Sequence, residues 1–420
     1  MNSKHQIVVI GAGTGGLTVA AALKKANSAL DVVIIDPAET HWYQPAWTLV
    51  GANAFDFKKT GRPMKDLIPN GVKWYKNKVV DLSGENQTVT LDNGDVLSYD
   101  VLVASPGIQI DLNGIEGLEE AIDTDSVCSN YVDPQKTWRV LQEFKGGNAV
   151  FTQPTTPIKC GGAPQKIMYL ADDYFRKSGK RDKAKIIFAT PGSVIFGVPD
   201  FAKTLMQVIA RKEIILKTFY APVKIDSKAK VITFKYTQPN FNDCIINKND
   251  SINEVVSNAE TTIDMPYDML HLAPPQSAPD FIKKSDLANA GGWIDVNHHT
   301  MQHNKFKNVF GLGDAAALPT AKTGAAIRKQ APVVVENVLN LISGKDSLNS
   351  DYNGYSSCPL VTGYGKMVLA EFGYDNVRMS DPFLSKFVDT TKENWSMWLL
   401  KKYGLPYLYW NKMMKGNTKF

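Results

Sequence analysis

The apolar positions of residues 6–36 change period twice. Ile7-Val-Val-Ile10 is an unbroken run of β-branched and aliphatic residues, which predicts a parallel strand buried on both faces. It passes into Gly11-Ala-Gly13-Thr14-Gly15-Gly16 and then into the alanine-rich stretch LTVAAALKKA, which reads as a helix. VVII follows as a second strand and ends on Asp36. Strand, glycine turn, helix, strand and terminal acid together form the dinucleotide fingerprint. Gly11 permits the tight turn, Gly13 lets backbone approach a diphosphate, and Gly16 lets helix and strand pack closely. The diphosphate is expected on the helix N-terminus, whose free N–H groups favour an anion. Asp36 is placed to accept from a ribose hydroxyl.

Further along, VLVASPGIQI (101–110) reads as a strand and turn that close this unit. NVFGLGDAAALPT (308–320) reads as a short strand ending in Gly311-Leu-Gly313-Asp314, with a helix-like stretch from Lys322. In this order the segments resemble those of the two-dinucleotide-binding-domain flavoproteins, a resemblance that implies an FAD domain with Asp314 at the ribityl chain and the following helix pointing its N-terminus at the flavin. Between them, residues 111–264 carry their own β/α alternation, with GNAVFTQP and KIIFAT as strands and QKIMYLADDYFRK as a helix. The predicted class is α/β, with two Rossmann-like domains, the second inserted in the first. The FAD domain is expected over 1–110 and 265–345, the inserted domain over 111–264, and a C-terminal region over 346–420. The inserted domain lacks a working fingerprint: KIIFATPGSVIFGVP keeps Gly192 and Gly197 but no glycine triplet. NAD(P)H is therefore not expected as electron donor.

Composition changes this picture little. The chain has 420 residues, 44% of them hydrophobic and 21% charged, and a net charge of +5. Those values suit a globular protein and argue against nucleic acid as a partner. No uncharged apolar run approaches the ~18 residues of a membrane span, and no cleavable leader is expected before the first strand. The four cysteines, Cys128, Cys160, Cys244 and Cys358, include no C-x-x-C pair, so no metal site is expected. Cys160 follows Lys159, precedes Gly161-Gly162 and has Lys166 downstream. A neighbouring ammonium lowers a thiol pKa, and the glycines leave room for close approach.

TPIKCGGAPQKIMYLADDYFRKSGKRDKAKIIF, YDMLHLAPPQSAPD, the Gly-Asp segment and YNGYSSCPLVTGYGKMVLAEF resemble the sulfide:quinone oxidoreductases, in the branch that includes the mitochondrial enzyme of animals. The resemblance runs from the first strand to LPYLYWN. It implies a flavoenzyme that oxidises hydrogen sulfide and passes two electrons through non-covalently held FAD to ubiquinone or menaquinone. It implies that Cys160 and Cys358 form the redox pair, as a disulfide or a trisulfide, with Cys160 toward the flavin and Cys358 carrying a persulfide. The sulfane sulfur then goes to a small acceptor: sulfite, glutathione or another sulfide. FAD contacts are implied at Gly11, Gly13, Thr14, Gly15, Asp36, Gln44, Val79, Gly107, Asp314, Lys322 and Gly324. Lys401 matches the position of a lysine returned over the cysteines. Cys128 is expected to be non-essential and Cys244 incidental.

The tail ENWSMWLLKKYGLPYLYWNKMMKG mixes aromatics, leucines and lysines. Trp395, Trp398 and Leu399 fall at i, i+3, i+4. After an expected break at Gly404-Leu-Pro406, Leu408, Tyr409, Trp410 and Met413 form a second apolar group. Such elements lie in a bilayer interface without spanning it, which suits a peripheral, monotopic membrane protein that takes quinone from lipid. The alternative is that these aromatics cap the core. Rival activities are an NAD(P)H-linked flavin reductase, a flavocytochrome-type sulfide dehydrogenase, and a scaffold whose flavin is structural.

Overall fold

The computed structural model describes residues 2–238 and 248–420, so Cys244 lies outside the described residues. Strand β1 (Asn2–Ile10), helix α1 (Thr14–Ala26) and strand β2 (Val32–Ile35) form the first β-α-β unit. β1 is central in a mostly parallel sheet, with β2 on one side and β3 (Val96–Ala104) on the other. The registers align strand ends: Ile10 pairs with both Ile35 and Ala104, and Ala104 pairs in turn with Gly311 of the strand Val309–Gly311. The residues that follow, Gly11, Asp36, Ser105 and Leu312, therefore emerge along one edge. That edge is where an open parallel sheet binds its ligand.

A second, fully parallel sheet has β4 (Gly147–Thr152) at its centre and β5 (Ala184–Thr190) and β6 (Met269–His271) as neighbours. β6 lies beyond residue 264, where the sequence pattern puts the return to the first domain, yet it is hydrogen-bonded to β4 through Val150–Leu270 and Phe151–His271. Helix α2 (Ala163–Lys177) follows β4 and buries Ile167, Met168 and Leu170. After β5 the chain runs through residues 191–198 before the next helix begins at Pro199. This stretch is a loop and not the short glycine turn of a dinucleotide fingerprint.

Helix α3 (Gly324–Ile342) starts with a cap, since the Thr323 hydroxyl accepts from the Ala326 N–H. A hairpin, β7 (Ser356–Gly363) and β8 (Lys366–Phe372), then packs its Cys358, Leu360 and Val368 into the core of the second sheet. The tail forms α4 (Trp395–Leu399), a π-helical turn Leu400–Gly404 and α5 (Leu405–Asn411) without interruption. The expected break at Gly404-Leu-Pro406 is absent: the π-helical turn runs directly into α5, with Pro406 as its second residue. α4 contributes Met397 and Trp398 to the second core, whereas Tyr409, Trp410, Met413 and Met414 join the first. The tail thus bridges both cores.

That placement corrects the expected lipid-facing stripe. Trp398 is 7% exposed and Trp410 is 5% exposed, because burying such rings against the cores contributes ~2 kcal/mol or more apiece. Trp395 of the expected stripe is exposed, and the other exposed aromatics of this region are Tyr403, Tyr407, Phe383, Phe387 and Phe420. No described helix is long and apolar enough to cross a membrane.

Candidate active site

The loop after β4 carries Cys160, and β7 carries Cys358. Their sulfurs lie 3.5 Å apart, although 198 positions separate them in the chain. Gly162 makes this approach possible: a Cβ there would lie 2.7 Å from the Cys358 sulfur. Cys160 itself has φ of +88°, a left-handed conformation that strains a residue with a side chain. Its carbonyl accepts from Ala163 N–H at 2.6 Å and lies 3.5 Å from the Tyr131 hydroxyl. Nothing in the sequence signals this strain.

Two buried lysines converge on the pair. Lys166, in the first turn of α2, is 2% exposed and places Nζ 3.1 Å from the Cys160 sulfur. Lys401, in the π-helical turn, is also 2% exposed and donates to the Pro45 carbonyl at 2.7 Å. The thiols are held at opposite extremes. A hydrogen bond from the Cys358 thiol, with the Lys166 charge, holds Cys160 well below the usual thiol range despite its burial. That same bond and burial push Cys358 well above it. Burial alone would lower Lys166, but the Cys160 charge reverses this and raises it. Lys401 is pushed down to about 7 by burial and by the Lys166 charge.

The dinucleotide crevice is built from the aligned strand ends. Gly11 has φ of +92° and its α-carbon faces the Ser105 backbone, so a side chain there has no room. Gly13 and Gly107, in contrast, meet nothing within 4 Å, leaving an open cradle at the N-terminus of α1. Gly15 packs on Ser105, and Thr14 opens the helix. Asp36 accepts from the Ala12 and Ala38 N–H groups at 2.7 and 2.8 Å, and burial raises its pKa. Asp314 follows Val309–Gly311 in a short 3-10 turn, its pKa also raised by burial. Lys322 donates to the Ala316 carbonyl at 3.1 Å, lies 4.1 Å over the Trp293 ring, and is lowered to about 8 by burial. Gly324 is the first residue of α3, and Thr323 is 2.8 Å from the Ser356 hydroxyl, which ties this helix start to the Cys358 strand. Gln44 begins a 3-10 turn next to Pro45, the residue that holds Lys401. Val79 opens a strand four residues beyond Tyr75, whose carbonyl accepts from Asp36 N–H. These residues fit an adenine dinucleotide: an open glycine cradle, a helix terminus and an acid at the end of β2.

Cys128 is not part of this arrangement. It lies in the strand Val127–Cys128, fully buried, with its thiol pushed up to about 12 by burial. A cavity of about 660 Å³ lies beside the cysteine loop, lined by Gly161, Pro157, Thr190, Phe196, Trp293 and Lys322 among others. No group of residues suited to a metal ion occurs among the described residues.

Residues 5–141 match the family model described as pyridine nucleotide-disulphide oxidoreductase. The mitochondrial sulfide:quinone oxidoreductase of Mus musculus is 41% identical over 98% of this chain and 87% of its own length. The mitochondrial enzyme of Dictyostelium discoideum is 40% identical over 98% and 86%. The crystal structure of the Aquifex aeolicus sulfide:quinone oxidoreductase superposes with a TM-score of 0.76, covering 99% of this chain and 92% of the other at 19% identity, a likeness of fold. With paired cysteines, a dinucleotide crevice and relatives of this identity along nearly its whole length, the chain belongs to the sulfide:quinone oxidoreductase family.

Proposed function

We propose that this chain is an FAD-dependent sulfide:quinone oxidoreductase whose sulfur chemistry takes place at Cys160 and Cys358. The observation that carries this reading is the 3.5 Å sulfur pair, with the Lys166 ammonium 3.1 Å from the Cys160 sulfur and with Cys160 held low while Cys358 is pushed high. That asymmetry decides which sulfur is attacked. In thiol–disulfide exchange the sulfur of lower pKa leaves faster. With Lys166 beside it, Cys160 is the better leaving group, so HS⁻ attacks Cys358. The S–S bond breaks, Cys358 becomes a persulfide and Cys160 leaves as a thiolate. A trisulfide bridge reacts in the same sense with one more sulfur.

A small acceptor then takes the terminal sulfur, leaving both cysteines reduced. The cavity beside Gly161 is a route for that acceptor. Re-closing the Cys160–Cys358 bond releases two electrons and the proton of the Cys358 thiol. When bound, FAD carries that electron pair to the quinone. Lys166 and Lys401 stabilise the anions, HS⁻ on entry and the Cys160 thiolate on departure, in a site too buried for water to do so.

Trp395, Tyr403, Tyr407, Phe383 and Phe387 are exposed aromatics of the C-terminal region, with Lys386 and Lys402 among them. They form the surface by which the protein rests on a bilayer and reaches the quinone. The test is anaerobic titration. Sulfide should bleach the flavin and added quinone should restore it, while NADH and NADPH should leave the spectrum unchanged. A flavin that bleaches only with a nicotinamide would refute the assignment.

A further inference from the structure

A buried chain of hydrogen bonds links helix α5 to the glycine turn. The Tyr409 hydroxyl is 2.8 Å from the Thr14 hydroxyl and 2.6 Å from Nε2 of His41, and Nδ1 of His41 is 3.0 Å from the Ala12 carbonyl oxygen. Both rings are 5% exposed. The carbonyl can only accept, so Nδ1 carries a proton. Burial pushes His41 down to about 4, which leaves Nε2 an acceptor at neutral pH. Tyr409 therefore donates to His41, and its oxygen accepts from Thr14. Each proton has one place to go.

This chain constrains the turn from the side opposite Asp36. The Ala12 N–H is held by Asp36 and its carbonyl by His41. A trans peptide directs C=O and N–H to opposite sides, so fixing the Ala12 carbonyl on His41 turns the Gly13 N–H away from His41. Thr14, the next residue, is the first of α1, where free N–H groups gather. The ring of Tyr409 is itself placed by Tyr43, with centroids 4.6 Å apart, and by its neighbour Trp410, over which Arg62 lies at 4.3 Å. None of these contacts reaches the cysteines.

We propose that Tyr409 and His41 are positioning residues for the FAD diphosphate, holding Ala12–Thr14 in the conformation that presents its N–H groups. The C-terminal helix is then part of the cofactor site and not only a membrane element. This inference rests on the FAD reading. A wild-type protein that binds no FAD would defeat that reading before any variant is made.

The test compares FAD-loaded and FAD-free protein. Tyr409→Phe keeps the ring and removes only the hydroxyl. It should speed FAD release, followed by recovery of flavin fluorescence on dilution, by about fivefold or more, as expected for a lost hydrogen bond that leaves a buried acceptor unpaired. Loss of the donor to Nε2 of His41 should lower the melting temperature of the FAD-free form, and that of the loaded form should fall further. His41→Phe breaks the same chain at its middle while keeping a ring, should show the same pattern, and stands in if Tyr409→Phe does not fold. The double variant should release FAD no faster than the faster single variant. Release within twofold of wild type in Tyr409→Phe, multiplied effects in the double variant, or equal loss of melting temperature with and without FAD would overturn the proposal.

Discussion

Lys401 donates from Nζ to the carbonyl oxygen of Pro45 across 2.7 Å, joining a turn near the C-terminus to the loop that carries Gln44. The contact brings a second ammonium toward a thiol that already has Lys166. Lys401→Met should slow flavin reduction by sulfide about tenfold, as for loss of a charge worth ~1.4 kcal/mol, with little change in reoxidation by quinone. Stopped-flow measurement of the two half-reactions separates these effects. A normal sulfide half-reaction would leave Lys401 a structural residue.

The pH dependence of this residue has a definite sign. Its folded pKa, about 7, lies below the ordinary 10.5, so the unfolded chain binds the extra proton between those values. The burial penalty is complete below pH 7 and fades as pH rises toward 10.5. Lys401→Met should therefore raise the melting temperature at pH 6 more than at pH 10. Its kinetic defect should shrink above pH 7, where the wild-type cation is itself lost. A pH-independent gain in stability would contradict the buried charge.

Cys160→Ser and Cys358→Ser should each abolish sulfide-dependent quinone reduction while FAD stays bound. Neither sulfur alone can form the bridge that HS⁻ opens. Cys128→Ser should keep a substantial rate, because that thiol is buried away from the pair. Near-normal turnover in either of the first two variants, measured with the flavin spectrum intact, would remove the two-cysteine relay.

Lys166→Met should raise the pH at which reduced Cys160 is alkylated by iodoacetamide. The Cys358 hydrogen bond and the Lys166 charge both hold Cys160 low, and the variant removes the second. Thiolate then forms only at higher pH, so the reactivity profile moves upward by about one unit or more. An unmoved profile would assign the low pKa to Cys358 alone.

The strand–glycine–helix unit at 6–36 is legible in the sequence because each of its signals is local: a β-branched run, a glycine turn, an alanine-rich helix and a terminal acid. The degenerate stretch after KIIFAT is legible for the same reason, as a missing glycine set. The cysteine pairing is not, since only the hairpin of β7 and β8 brings Cys358 to Cys160, and resemblance to a family supplied that pairing. The tail misleads at the level of single rings. Aromatics at helical spacing look alike whether they meet lipid or core, and Trp398 and Tyr409 face the two cores while Trp395 and Tyr407 face outward. The π-helical turn rotates the chain between α4 and α5, so one stripe of positions cannot describe both helices. The strained backbone of Cys160 leaves no mark in residue type at all.

Replacing Tyr403 and Tyr407 by serine should weaken sedimentation with liposomes while sulfide reduces the flavin at the normal rate. Both side chains are 61% exposed and neither enters the core. Unchanged liposome binding would move the bilayer contact elsewhere on the surface.

The long separation of Cys160 and Cys358 gives the catalytic bond a second role. A cross-link that closes a loop of this length removes unfolded-chain entropy worth ~5 kcal/mol in the simple loop-closure account. The oxidised protein would thus carry a large mechanical restraint that each turnover opens. While the bridge is open, the hairpin that carries Cys358 is retained by packing and by hydrogen bonds such as Ser356–Thr323, Thr362–Glu393 and Tyr364–Asp173. Resistance to heat and protease would then vary with the redox state of the site, so an enzyme starved of electron acceptor, with its cysteines kept reduced, would be the form most quickly lost.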